Sequence, residues 1–219
     1  MNSETENGEI VSSEDRVQWV YASEDNQQLE ERYDRWAKEY DEDLADDFGY
    51  VMPRMAAETF ERFVSKDARV LDAGAGTGLV GVELNRLGYT DIEAMDMSHG
   101  MLEVAGAKNV YGALHQMVMG EPLSFESDRY DATIGVGVLT LGHAPASSLD
   151  ELVRVTKAGG VVAFTLRPDV YEQNGFREKQ EQLVSDGRWE LVEVTDQFLG
   201  LPKGEPDVYF QVWVYRVNS

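Results

Sequence analysis

One short segment constrains this chain most. In residues 70–78, Val-Leu-Asp-Ala-Gly-Ala-Gly-Thr-Gly, an apolar run meets glycine at three alternate positions, Gly74, Gly76 and Gly78. Glycine adopts positive φ without a Cβ penalty and lets another molecule approach the backbone closely. A strand that feeds such a bend, with helical sequence over 78–87 behind it, is the first half of a βαβ unit. Ligands of sheets built from these units sit beyond the carboxyl ends of the strands, near the point where the strand order reverses. The segment lacks the Gly-Lys-Ser/Thr of a phosphate-binding P-loop. Asp72 stands directly before the glycines, where a carboxylate repels a pyrophosphate and attracts an ammonium group.

The rest of the chain repeats this strand-and-helix grammar. Strands are predicted over 69–73, 91–97, within 111–119, and over 130–139, 160–166, 189–195 and 208–217. Helices are predicted over 78–87, 100–107, 147–156 and 172–185. Such alternation with right-handed crossovers gives an α/β, Rossmann-like fold: a doubly wound seven-stranded sheet, mostly parallel, whose last hairpin is antiparallel. Ahead of it, Leu29, Tyr33, Trp36, Tyr40 and Leu44 recur at intervals of three and four, which puts one apolar face on a helix over 26–47. Pro53, a good first-turn residue, opens another that runs to about residue 64. These are lid helices at about 26–65, ahead of a core at about 66–219, all one domain over 16–219. Residues 1–15 are expected to be a disordered acidic tail.

Charge and composition narrow the partners. A formal charge of −22 with no Lys/Arg cluster disfavours polyanions, so no nucleic acid and no anionic membrane surface is expected. No apolar run approaches the ~20 residues of a membrane span. The first residues lack the basic and apolar stretches of a signal peptide, and Cys is absent. The expectation is a cytoplasmic protein, a monomer or a homodimer. His99, His115 and His143 lie far apart and show no metal-ligand spacing, so no metal is expected.

Asp96 ends the second strand eighteen residues beyond Gly78, about the spacing of a carboxylate that hydrogen-bonds a ribose hydroxyl. Here the sequence reaches a family. Residues 72–78 resemble the first motif of class I S-adenosylmethionine-dependent methyltransferases. Residues 94–102 (AMDMSHGML) are similar to the family's second motif, 130–139 (YDATIGVGVL) to its fourth-strand motif, and 155–164 (VTKAGGVVAF) to its step into the fifth strand. Order and spacing match from about residue 30 to the C-terminus. Residues 33–37 (YDRWA) with Tyr40 and Asp41 resemble the lid helix of small-molecule methyltransferases. The run over 16–53 is most similar to the methyltransferase-like group named after the Williams–Beuren syndrome region. One departure stands out: in 118–123 (VMGEPL), Met119 occupies the place where many relatives carry an acid near the adenine amine. Apolar contact and backbone groups are the expected substitutes.

The resemblance implies S-adenosylmethionine as cofactor and a small-molecule methyl acceptor with an oxygen, nitrogen or sulfur nucleophile. It implies that Gly74, Gly76 and Gly78 pass along the methionine part, with Asp72 near its α-ammonium, directly or through water. Asp96 would take both ribose hydroxyls, Met97 would flank adenine, and Gly135 and Val136 would lie beneath the methionine moiety. Tyr33 and Tyr40 would close over the carboxyl end or the sulfonium. His143, in 139–143 (LTLGH), is the candidate general base, because imidazole titrates near neutrality; a pocket-shaping loop histidine is the alternative. His99 and His115 read as structural. Trp36, Arg54, Arg167 and Tyr171 are substrate-binding candidates, the two arginines for a carboxylate or phosphate, with Phe176 and the loop 200–206 as further walls. Two other readings keep the cofactor: cyclisation or elimination on the sulfonium, and a non-catalytic S-adenosylmethionine-binding protein. A nicotinamide-dependent oxidoreductase is disfavoured by Asp72 before the glycines.

Overall fold

Strand β1 (Val70–Ala73), buried at all four residues, sits in the middle of the sheet and sets its polarity. It pairs in parallel with β2 (Ile92–Asp96) on one side and β4 (Tyr130–Gly135) on the other, and β3 (Ala113–Gln116) extends the β2 side. The order therefore reverses between β1 and β4, and the glycine segment leaves β1 at that switch point. The computed structural model describes residues 12–140 and 142–218, with only the backbone of Glu14 and Tyr21.

Beyond β4 come β5 (Thr156–Leu166), parallel to β4, and β8 (Tyr209–Val217), inserted antiparallel between β5 and the edge strand β6 (Trp189–Val194). The seven expected strands are present. An eighth, β7 (Phe198–Leu199), pairs with the start of β8 and is too short for alternation to reveal. The fourth strand ends at Gly135, four residues before its predicted end. Gly137 has φ +73°, and its N–H turns to the Thr165 hydroxyl at 2.8 Å.

Both faces of the sheet are covered, as its apolar strands require. Helices α4 (Met52–Phe60) and α5 (Leu79–Arg86) bring Phe60 and Leu84 against Val70, Ile92 and Val212. On the other face, α7 (Ser148–Val155), α8 (Pro168–Gln173) and α9 (Phe176–Ser185) bring Leu152, Val170 and Phe176 against Leu71 and Phe164. The helix predicted over 172–185 is thus two helices, because Gly175 takes φ +77° between them.

The N-terminal region departs most from expectation. Helix α1 (Ser13–Tyr21) begins inside the predicted tail, N-capped by Ser12, whose hydroxyl accepts the Asp15 N–H. Residues 1–11 of that tail lie outside the described residues. Val17 and Val20 pack with Leu29, Trp36 and Leu44, which holds α1 on the lid. The single helix predicted over 26–47 is α2 (Asn26–Trp36), the short α3 (Tyr40–Glu42) and a π-helix (Asp43–Phe48) that Gly49 ends at φ +63°. Asp43 anchors the break: its carboxylate accepts Trp36 Nε1 at 2.6 Å and pairs with Arg16 at 2.5 Å.

Three lid carboxylates tie this region to the core. Asp34 accepts the Ser98 hydroxyl (2.5 Å) and the Gly100 N–H (2.8 Å), both at the start of α6 (His99–Ala107). An acid there also faces the positive end of that helix. Asp41 accepts the Thr77 hydroxyl (2.5 Å) and pairs with Lys108 (2.6 Å), and Glu30 accepts from Gln116 (2.8 Å). A Cβ on Gly100 would lie 2.9 Å from Asp34 Cα, so Gly100→Ala is expected to push α2 away. Limited trypsin digestion should then cut at Arg32, Arg35 and Lys38 several-fold faster. An unchanged rate would show that this contact does not hold the lid.

Candidate functional site

At the carboxyl ends of β1, β2 and β4 the lid covers a cleft of about 680 Å³, its mouth included. The size is that of a cofactor site. Gly74 and Gly76 form its floor, at φ +76° and +54°. A Cβ on Gly74 would stand 2.6 Å from Val138 Cγ2, whereas one on Gly76 would meet nothing within 4 Å. Gly76 therefore faces open space, and its missing side chain is part of the room. Gly78 does not line the cleft; it starts α5 at φ +90°, with the Tyr111 ring 2.9 Å from where its Cβ would be.

Asp96 lines the cleft, held by main chain on both sides. Its Oδ2 accepts the Gly76 N–H at 2.8 Å and its Oδ1 the Ser98 N–H at 2.9 Å. Withdrawal from water pushes its pKa up, the Ser98, Gly76 and Met97 N–H groups pull it back, and the charge of Asp34 adds to the rise. Met97, Met101, Met117 and Met119 provide a polarisable wall, and Val136, Gly137, Val138 and Ala144 close the β4 side. Asn26, Leu29, Tyr33 and Tyr40 form the roof.

Asp72 corrects the sequence reading. It does not line the cleft but lies fully buried behind the glycine floor. Its Oδ2 accepts the Tyr111 hydroxyl at 2.6 Å, and that hydroxyl accepts the Gly81 N–H at 3.1 Å. Its Oδ1 is buried with no hydrogen-bond partner among the described residues. Burial pushes its pKa up to about 7 against the Tyr111 hydrogen bond, and the charge of Asp96 adds to the rise. Gly135 also stays within the sheet, against Ala73, while Val136 and Gly137 reach the cleft.

A second cavity, about 500 Å³ with its mouth included, adjoins the first and shares Tyr33, Tyr40, Gly137 and His143 with it. The Tyr33 hydroxyl and His143 Nε2 are 2.7 Å apart at this junction. Beyond it the walls are Val17 and Val20 of α1, Trp36 of α2, and Leu44 and Phe48 of the π-helix. Tyr50, Met52 and Leu201 complete them. Of the substrate-binding candidates only Trp36 is here, with Leu201 from the predicted loop. Arg54 is exposed on α4, and Arg167 forms a two-point ion pair with Asp169 (2.7 and 3.0 Å). Tyr171 stacks on Trp213 at 4.8 Å, and Phe176 belongs to the core. His99 is exposed beside Glu103, and His115 bonds Glu93 on the sheet.

Residues 71–164 match the methyltransferase domain family, and these carry the glycine floor, Asp96 and the end of β4. Human Methyltransferase-like protein 27 is 33% identical over 195 residues, spanning 86% of this chain and 79% of its own length. The chain belongs to the class I S-adenosylmethionine-dependent methyltransferases. A second member, demethylmenaquinone methyltransferase of Clavibacter sepedonicus, is 38% identical over 95 residues, 42% of this chain and 38% of that protein. Among solved structures, a TehB-like SAM-dependent methyltransferase from Corynebacterium glutamicum superposes with TM-score 0.64 at 18% identity. It covers 86% of this chain and 99% of its own, and shows the shared methyltransferase fold. The cofactor of this methyltransferase is S-adenosylmethionine.

Sequence reasoning missed several residues of the site. Gly137 carried a readable signal, since Gly135-Val136-Gly137 repeats the alternate glycines of the first loop at a strand end. Met101 and Val118 lay inside the quoted motifs. Tyr111 gave none, because its partner Asp72 is thirty-nine residues away in sequence.

Proposed function

We propose that this methyltransferase transfers a methyl group to a small-molecule oxygen, nitrogen or sulfur acceptor, and that it falls in the methyltransferase-like group named after the Williams–Beuren syndrome region. The observation that carries the reaction is two adjoining cavities under one lid, with Tyr33, Tyr40, Gly137 and His143 at their junction. A small-molecule acceptor is supported by the demethylmenaquinone methyltransferase among the relatives. The grouping is supported by likeness to human Methyltransferase-like protein 27 over most of both chains.

The chemistry of the first cleft fits the cofactor. Its one charged lining side chain among the described residues is a carboxylate, and a second carboxylate lies behind the floor with an unpartnered oxygen. Such a site favours a ligand carrying positive charge and disfavours a pyrophosphate. Asp96, already fixed by two N–H groups, would accept from the ribose hydroxyls; Gly76 would leave room for the backbone contact. The four methionines would cover adenine, with Met119 in place of the missing acid. Asp72 would act on the α-ammonium through water or across the glycine floor. Bound there, S-adenosylmethionine supplies an electrophilic methyl group on a cationic sulfur. Tyr33, Tyr40 and Gly137 would hold the acceptor in line, which can contribute several kcal/mol to the rate. The lid would keep water out, and His143, oriented by Tyr33, would take a proton from an acceptor that must lose one.

This reading has a pH signature. Asp72 is held mostly protonated below about pH 7. A cationic ligand favours its ionised form, so binding should release a proton at pH 6 and affinity should rise from pH 6 to 8. Calorimetry in buffers of different ionisation enthalpy reads this directly, and Asp72→Asn should flatten the dependence. A flat wild-type profile would remove Asp72 from cofactor binding.

Incubation with isotope-labelled cofactor and a metabolite extract tests the reaction. S-adenosylhomocysteine and a labelled product are expected. Methylthioadenosine would indicate elimination or cyclisation, and binding without turnover a non-catalytic protein.

A further inference from the structure

We infer that the acceptor is an uncharged, mostly apolar molecule that sits in the second cavity with one polar atom turned toward Tyr33 and His143. This rests on the methyl-transfer reading above and adds the substrate class.

The argument starts from what walls the cavity. Among the described residues none of its lining side chains is Lys, Arg, Asp or Glu. Aliphatic and aromatic groups from five elements surround it, including Val20, Leu44, Phe48 and Leu201. The polar atom of Trp36 is used behind the wall, where Nε1 donates to Asp43, and Asp43 is itself paired with Arg16. The Asp43 carboxylate is thus neutralised by a neighbour rather than offered to a ligand. A charged guest would lose its hydration and find on the described walls only the imidazole of His143, already hydrogen-bonded to Tyr33, whereas an apolar guest gains by leaving water.

The polar end is equally well defined. Tyr33 and His143, 2.7 Å apart, stand at the junction with the cofactor cleft. A guest filling the apolar space would therefore place its one polar atom at the end nearest the cofactor. Gly137 keeps that passage open: at φ +73°, a Cβ there would stand 2.9 Å from the Tyr50 hydroxyl. The two arginines that could have recognised a carboxylate or phosphate, Arg54 and Arg167, are absent from the lining. The wall also includes a π-helix, an element rare elsewhere and frequent at functional sites. Most of these walls precede residue 71, outside the region matched by the methyltransferase domain family. Specificity here is built by the N-terminal lid rather than by the cofactor core.

The test is calorimetric titration of the full chain, saturated with S-adenosylhomocysteine, by two probes of one shape at pH 7.5: neutral 2-naphthol and anionic 2-naphthoate. The naphthol is expected to bind at least tenfold more tightly. Leu201→Phe, which fills the cavity, should weaken naphthol binding at least tenfold and leave S-adenosylhomocysteine affinity unchanged. Val17→Phe, on a different element, reads the same space if the first variant does not fold. Equal affinity for the two probes, a preference for the carboxylate, or indifference to a filling variant would overturn the proposal. Failure of S-adenosylhomocysteine to bind would instead sink the cofactor reading; the two probes then measure the second cavity in the chain alone, with the same outcomes deciding.

Discussion

Replacing Asp96 with Ala is expected to weaken S-adenosylmethionine binding by about 1.5–3 kcal/mol, roughly ten- to hundredfold, the cost of a hydrogen bond to a charged acceptor. The loss has two parts. The ligand hydroxyls lose their acceptor, and the Gly76 N–H, now held at 2.8 Å, is released so that the cleft floor is no longer pinned. Asparagine is not a mild substitute here. Both carboxylate oxygens accept backbone N–H groups, from Gly76 and Ser98, so either amide orientation sets a donor against a donor. Calorimetric titration of Asp96→Ala and Asp96→Asn, with melting curves to establish folding, measures both. Wild-type affinity in folded variants would take Asp96 out of the site.

The sheet was readable because its physics is local. Buried strands are mostly apolar, and 160–166 announces itself, while 70–73 and 92–96 are short apolar stretches that each carry acids, Asp72 in one and Glu93 and Asp96 in the other; the three glycines stand out as well, their φ of +54° to +90° being one that only glycine adopts easily. Asp96 was legible from spacing because β2 must end beside β1 when the two run parallel. For Asp72 the direct contact, one of the two routes expected, fails because adjacency to the glycines is not access to the cleft. Side chains alternate along a strand, and Asp72 shares its side with Val70, whose neighbours are α4 and α5. The arginine candidates failed for a related reason. Arg167 follows a strand end, but Asp169 two residues on captures it; Arg54 sits opposite the buried Met52–Ala56–Phe60 stripe of α4. Helix α1 was hidden by its polar composition, since only Val17 and Val20 are buried among its hydrophobic side chains described, too few for a periodic signal. The second cavity could not be read at all, because five separate elements contribute to it.

Glu93→Gln is expected to lower stability by about 1.5–3 kcal/mol, the worth of hydrogen bonds to a charged group whose arginine partners stay partly in water, or about 3–12 °C in melting temperature for a chain of this size. Glu93 is 5% exposed in β2, three residues before Asp96 on the same strand, yet the two acids are treated oppositely. Glu93 accepts from Arg69, from Arg129 at 3.0 Å, from the Tyr130 hydroxyl at 2.8 Å and from His115 at 2.9 Å. Burial alone would raise its pKa, but these donors lower it to about 2. The unfolded chain takes up a proton near pH 4.5, while the folded one resists until about pH 2. The stability from Glu93 is therefore complete above about pH 4.5 and is lost as pH falls toward 2. Melting temperatures from pH 6 to 2.5 should show this slope in the wild type and a shallower one in Glu93→Gln. An equal slope would mean that Glu93 is not held ionised by its partners. The acids near the cleft, Asp72 and Asp96, are raised instead, because burial outweighs the uncharged hydroxyl and N–H donors that face them. One end of the sheet neutralises its buried charge with the protein's own arginines; the other leaves charge for a ligand to meet. Glu93→Gln should accordingly cost stability while cofactor affinity per folded molecule stays that of the wild type, whereas Asp96→Ala should show its main effect in cofactor affinity.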